Sequence, residues 1–133
     1  MIAEIQQTSD ITYRLFDFDR KDANGNKREL AVDMALDAIN YHKQETQKIY
    51  LKKPNLSNRI VDCPHFTTNF IPITASFEVQ KNGDSFTVYM CVEGNFSISI
   101  NEKEFNYKKG DTVLIPAALK SYVLSGKGSI LEI

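Results

Sequence analysis

A chain of 133 residues with 42% apolar, 25% charged and 11% aromatic residues falls in the size range of one domain and outside disordered compositions. Sixteen basic against seventeen acidic residues give a net charge of −1, so there is no basic field for a phosphate backbone, and nucleic acid is not an expected partner. No charged n-region precedes an apolar stretch at the N-terminus, and no run approaches the roughly 18 apolar residues of a membrane span. A cytoplasmic protein without a membrane partner is expected. Cys63 and Cys91 are the only cysteines, too few for a disulfide framework, and each reads as a small buried apolar residue.

In chain order, Ile11-Thr12-Tyr13-Arg14-Leu15-Phe16-Asp17-Phe18-Asp19 is β-prone. Asp22-Ala23-Asn24-Gly25-Asn26 then reverses the backbone, because Asn-Gly tolerates positive φ. From about Arg28 to His42, Val32, Leu36 and Ile39 recur at helical spacing with Ala35 and Ala38 among them, which predicts the one helix, with His42 at its C-terminal dipole. Gln44 to Asn58, polar and lysine-rich with Pro54, reads as a connection.

From Arg59 onward the period is two. Ile73, Ala75, Phe77 and Val79 form one apolar face, and Phe86, Val88, Met90 and Val92 a second that is expected to bury against it. A third run places Phe96, Ile98 and Ile100 on one side. Asn82-Gly83-Asp84 has hairpin-turn composition, and Asn101-Glu102 is another polar turn. Short, regularly spaced strands predict an antiparallel sandwich, barrel or jelly roll.

The stretch from Gly94 to Ser125 resembles the second half of a cupin domain, a small jelly-roll barrel. The likeness rests on Val92-Glu93-Gly94, on Gly110-Asp111, and on Ile115-Pro116-Ala117 five residues past that glycine. Metal-binding cupins place a glycine and a histidine where this chain has Ala118 and Ser121, and a glutamate where it has Thr87. The resemblance therefore implies a barrel without metal ligands, and its interior is expected to be apolar or neutral-polar. A lone Cys63-Pro64-His65 lacks the second ligand pair that makes zinc spacing specific.

The segment Glu4-Ile5-Gln6-Gln7-Thr8-Ser9-Asp10-Ile11-Thr12-Tyr13-Arg14-Leu15-Phe16-Asp17-Phe18-Asp19-Arg20 resembles type I mannose-6-phosphate isomerases. The likeness continues through Gly25, Arg28-Glu29-Leu30, the helix Ala35 to Ile39 and Asp62-Cys63-Pro64-His65-Phe66 into the barrel, and it matches the C-terminal part of a longer enzyme. The fold it implies is mostly β: a cupin-like jelly-roll barrel with one N-terminal helix and an N-terminal strand segment. Its three parts are residues 1–20, resembling the end of the catalytic cupin, residues 21–58, the helix and connection, and residues 59–133, the jelly-roll domain.

The family interconverts the 6-phosphates of mannose and fructose by moving a proton between C1 and C2. The resemblance places its active-site arginine on Arg14 and its active-site glutamate on Glu4, as catalytic residues, with Arg14 and Asp10 as substrate contacts. A guanidinium can stabilise an enediolate or phosphate oxygen, and a carboxylate can relay a proton. The family's zinc ligands, a glutamine, two histidines and a glutamate, all precede this segment. Gln6 and Gln7 are not the ligand glutamine. The chain alone is thus expected to bind no metal and to be inactive, with a phosphosugar as partner only when an N-terminal catalytic part completes it.

Plainer readings are a surface arginine at Arg14, an exposed carboxylate at Glu4 and a turn cap at Asp10. The alternative function is a non-catalytic cupin-like sugar- or protein-binding module. A homodimer through the edge of the N-terminal strand is a further expectation.

Overall fold

The computed structural model describes residues 2–6, 11–43 and 45–133. They fall into two units, one of Ile5–Thr46 and one of Gln47–Ile133 together with Met1–Glu4.

The larger unit is an antiparallel jelly roll of seven strands: β1 Asn58–Asp62, β2 Thr67–Ile73, β3 Phe77–Gln80, β4 Thr87–Ile100, β5 Lys103–Lys108, β6 Thr112–Ile115 and β7 Ser121–Glu132. The order is β1-β2-β7-β4-β5, with β3 on β7 and β6 on β4. The long strands β4 and β7 pair from Tyr89↔Glu132 to Ser99↔Val123, and each serves two sheets. One half of each joins β1, β2 and β6; the other half joins β3 and β5. At the changeover the two backbones approach so closely that side chains do not fit. A Cβ on Gly94 (φ +65) would meet the Lys127 carbonyl oxygen, and one on Gly126 (φ +128) would lie 2.7 Å from the Asn95 carbonyl oxygen. Positive φ and this approach both demand glycine.

The core is formed by Ile71, Ile73, Tyr89, Cys91, Phe96, Ile98, Ile115, Tyr122, Leu124 and Ile130. In β4 the expected face is inverted in its first half: Tyr89 and Cys91 are 0% exposed, whereas Phe86 just before the strand is 57% exposed. A bulge between Cys91 and Glu93 explains this. It inserts a residue, so odd positions face inward before it and Phe96 and Ile98 face inward after it.

Two turn assignments separate in the same way. Asn101 and Glu102, at φ 47° and 65°, close the β4–β5 hairpin with the left-handed pair such a turn needs. Asn82-Gly83-Asp84 instead links β3 and β4, which both pair with β7 and not with each other. The run from Ile73 to Val79 is also interrupted. The chain changes sheets at residues 74–76, where the Asn55 carboxamide oxygen accepts the backbone N–H groups of Thr74 and Ala75 at 2.9 and 3.1 Å.

In the smaller unit, helix α1 spans only Val32–Ala38, against the predicted reach from Arg28 to His42. Ala31 at its N-cap supplies no side-chain bond and Ile39 is extended, so the N-terminal end lacks a cap, while at the other end the Tyr41 hydroxyl donates to the Leu36 carbonyl at 3.0 Å. Of its apolar residues Ala35 is buried, while Val32 and Leu36 are 41% and 46% exposed. The β-prone stretch at residues 11–20 is irregular among the described residues. Its nearest β pairing is the single bridge Lys21↔Lys27. A strand forms only with a ladder partner, and the described residues of this unit supply none. The Asn-Gly turn is as expected: Gly25 has φ +84, and the Asp22 carboxylate accepts the N–H groups of Asn24 and Asn26, each at 2.9 Å. The Asn26 bond in particular holds the Asp22 carboxyl below its ordinary range.

Candidate functional site

Arg14 lies on the irregular segment, anchored by its carbonyl, which accepts the Ala31 N–H at 2.9 Å. Three residues on, Asp17 is buried, 8% exposed. Phe18 and Asp19, at φ 51° and 53°, then turn the chain tightly, and the Arg20 N–H donates back to the Asp17 carbonyl at 3.0 Å. The Asn-Gly turn returns Arg28 to the same place. Asp17 Oδ1 therefore sits 3.7 Å from Arg14 Nε and 3.5 Å from Arg20 Nε, and its Oδ2 sits 3.5 Å from Arg28 Nε.

These separations are those of ion pairs, longer than hydrogen bonds. A buried carboxylate is costly unless compensated, and here three guanidiniums compensate one. Each approaches through Nε, and no hydrogen bond among the described residues engages their terminal nitrogens. The cluster keeps positive charge and spare N–H donors, the combination that binds a phosphate or an enediolate oxygen. Beside it a small cavity of about 120 Å³ is lined by Phe16, Asp17, Arg20, Lys27, Arg28 and Leu30 among others.

The other predicted residues stand apart. Glu4 is exposed on residues 2–6, which form neither helix nor strand, and belongs to the larger unit, whereas Arg14 belongs to the smaller. Asp10 lies outside the described residues. Cys63 is half-buried and its thiol donates to the Phe66 carbonyl at 3.2 Å, while His65 is exposed. Cys91 is buried, and burial pushes its thiol pKa up. The helix ends at Ala38, short of His42, which therefore does not sit in its last turn. Among the described residues no group of three or more His, Cys, Asp or Glu side chains could hold a metal ion, and they do not fit a zinc site.

Sequence reasoning missed Asp17 as the organising residue, although its spacing three from both Arg14 and Arg20 was visible. It also missed a polar centre in the barrel. The Tyr89 and Tyr122 hydroxyls are 2.8 Å apart in the core, and Tyr89 donates to Glu132 Oε1 at 3.2 Å. Glu132 Oε2 accepts from Ser57 Oγ at 2.6 Å and Asn69 Nδ2 at 2.9 Å. The barrel thus carries a carboxylate where an apolar or neutral-polar interior was expected. Burial first, and then the Glu132 charge, hold the Tyr89 hydroxyl protonated far above its ordinary value.

The barrel defines the class as a cupin. A cupin-2 domain protein from Shewanella frigidimarina superposes on 62% of this chain with a TM-score of 0.54 at 14% identity, a likeness of fold. The chain belongs to the family described as mannose-6-phosphate isomerase, cupin domain, whose model matches residues 57–133.

The mannose-6-phosphate isomerase of Streptococcus mutans is 32% identical over 98% of this chain and 42% of its own length. The Bacillus subtilis isomerase ManA is 30% identical over 92% of this chain and 40% of its own. The chain thus spans about two-fifths of these curated relatives. The crystal structure of the Bacillus subtilis mannose 6-phosphate isomerase superposes on 93% of this chain and 40% of itself, with a TM-score of 0.72 at 25% identity. The Salmonella typhimurium enzyme, solved with fructose 6-phosphate and zinc, covers 80% of this chain with a TM-score of 0.61 at 14% identity. No helix among the described residues is long and apolar enough to cross a membrane.

Proposed function

We propose that this chain is the C-terminal part of a cytoplasmic mannose-6-phosphate isomerase and contributes to an active site completed by an N-terminal part. The observation that carries the reading is the convergence of Arg14, Arg20 and Arg28 on Asp17, with Arg14 in the segment that resembles the family's catalytic motif. Arg14 holds the substrate phosphate or steadies the enediolate oxygen, and Glu4 relays or orients the proton moving between C1 and C2. Asp10 is a further substrate contact.

Zinc is the metal of the full-length family. By the resemblance its ligands belong to the N-terminal part, and the roles given above to this chain's own side chains. The exposed Ile11, Tyr13, Leu15 and Phe16 suit a surface covered by that part.

Assaying the purified chain with zinc and mannose 6-phosphate tests the division of labour. The expected result is no turnover above background. An enzyme-like rate from the chain alone would overturn it.

A further inference from the structure

Beside β2 and β4 the barrel opens into a cleft of about 450 Å³ whose lining includes His65, Phe66, Asn69, Phe86, Thr87 and Glu132. This volume suits a small organic ligand. The cleft lies within the larger unit and contains none of the Arg14 cluster, so its role is independent of the isomerase reading.

Its polar groups are arranged for acceptance. Glu132 is fixed by three neutral donors, Ser57, Asn69 and Tyr89, and no ion pair with a described residue neutralises it. A carboxylate has about four lone-pair sites, so one remains on Oε1. The Asn69 carboxamide spends an N–H on Glu132 and keeps its carbonyl oxygen. At the rim, Thr67 Oγ1 donates to Asp62 at 2.9 Å and Ser85 Oγ to the Phe86 carbonyl at 3.1 Å, which leaves both hydroxyls as acceptors.

A ligand for this cleft must bring several O–H or N–H donors and an apolar face for Phe66 and for Phe86, which is 57% exposed. A phosphate dianion brings only acceptors and would face Glu132. A cationic amine would compete for Glu132 with Lys81, whose Nζ donates to the Ile115 carbonyl at 3.3 Å and whose charge already interacts with Glu132. A neutral sugar satisfies the acceptors with its hydroxyls and lays its C–H face on the aromatic rings.

We propose that this cleft is a binding site for a neutral, unphosphorylated hexose or polyol, held by Glu132 and Asn69 and stacked on Phe86.

The test is a residue-resolved NMR titration of the full chain with D-mannose, D-mannitol, mannose 6-phosphate and n-butylamine. D-mannose or D-mannitol is expected to shift the amides of Thr67, Asn69, Ser85 and Thr87 with millimolar affinity. Mannose 6-phosphate is expected to perturb these amides about tenfold more weakly. Glu132→Gln should weaken sugar binding about tenfold. Phe86→Ala, at an exposed position that does not support the core, should weaken it about fivefold. Absence of sugar-induced shifts at these amides, binding unaltered by Phe86→Ala, or a response to n-butylamine in place of the sugars would overturn the proposal. In the last case the site would be one for amines.

Discussion

The jelly roll and the arginine-rich unit are held together by different means. In the barrel, β4 and β7 cross at glycines with no room for a Cβ, and a continuous apolar core draws residues from β2 through β7. Among the described residues of the smaller unit one apolar residue, Ala35, is buried, and the organising contact is a carboxylate ringed by guanidiniums. Close packing stabilises through dispersion and area removed from water and tolerates almost no change in volume. A charge cluster contributes less, is screened by salt, and leaves donors over for a ligand.

The largest effect that can break this contrast comes from the same substitution in both units. Gly94→Ala, forced against the Lys127 carbonyl at positive φ, should cost on the order of 4 kcal/mol or prevent folding. Gly25→Ala, also at positive φ but in open space, should cost about 1 kcal/mol. Urea denaturation of the two variants measures both. Equal losses would mean that the barrel crossing is not tight.

Asp17→Asn comes next. It leaves three guanidiniums with no compensating charge, and it should destabilise the smaller unit by roughly 1–2 kcal/mol, discounted because Arg20 and Arg28 are more than half exposed. Hydrogen exchange at the Ala31 amide, which bonds the Arg14 carbonyl, should accelerate in the variant and recover partly with added salt. Exchange that is unaltered would remove Asp17 as the organiser.

At neutral pH the smallest effect is a pH dependence confined to the barrel, which develops only above about pH 10. Tyr89 and Tyr122 are both raised above the ordinary value of 10.0, chiefly by burial. Their folded forms stay protonated where unfolded tyrosine ionises. The stability linked to them is full below about pH 10 and falls as pH rises beyond it, by about 1.4 kcal/mol per pH unit for each group that remains protonated in the fold. Following tyrosinate absorbance with pH should show these two of the six tyrosines ionising only as the barrel unfolds.

Legibility in the sequence divides along the same line. Turns set by backbone chemistry were legible: Gly25 and Asn101 adopt the left-handed conformations that their residue types favour. The period of two marked the strands, but one bulge at Cys91/Glu93 turned the first half of β4 over, and a bulge has no local composition to announce it. The helix came out shorter because spacing shows a face and not the caps that sustain it. The Glu132 centre gathers Ser57, Asn69, Tyr89 and Tyr122 from four places in the chain, and only strand register brings them together. The Asp17 cluster was half visible, since Arg14 and Arg20 flank it at local spacing while Arg28 arrives through a turn.

The central claim is that the Arg14 cluster completes an isomerase active site. Its direct test is a chimera in which this chain replaces the corresponding C-terminal two-fifths of the Bacillus subtilis isomerase ManA, a relative 30% identical to it. Measured on mannose 6-phosphate, the chimera should turn over, and Arg14→Ala should lower kcat/KM roughly a hundredfold while the fold is retained. A folded chimera whose activity is unchanged by Arg14→Ala would contradict the account.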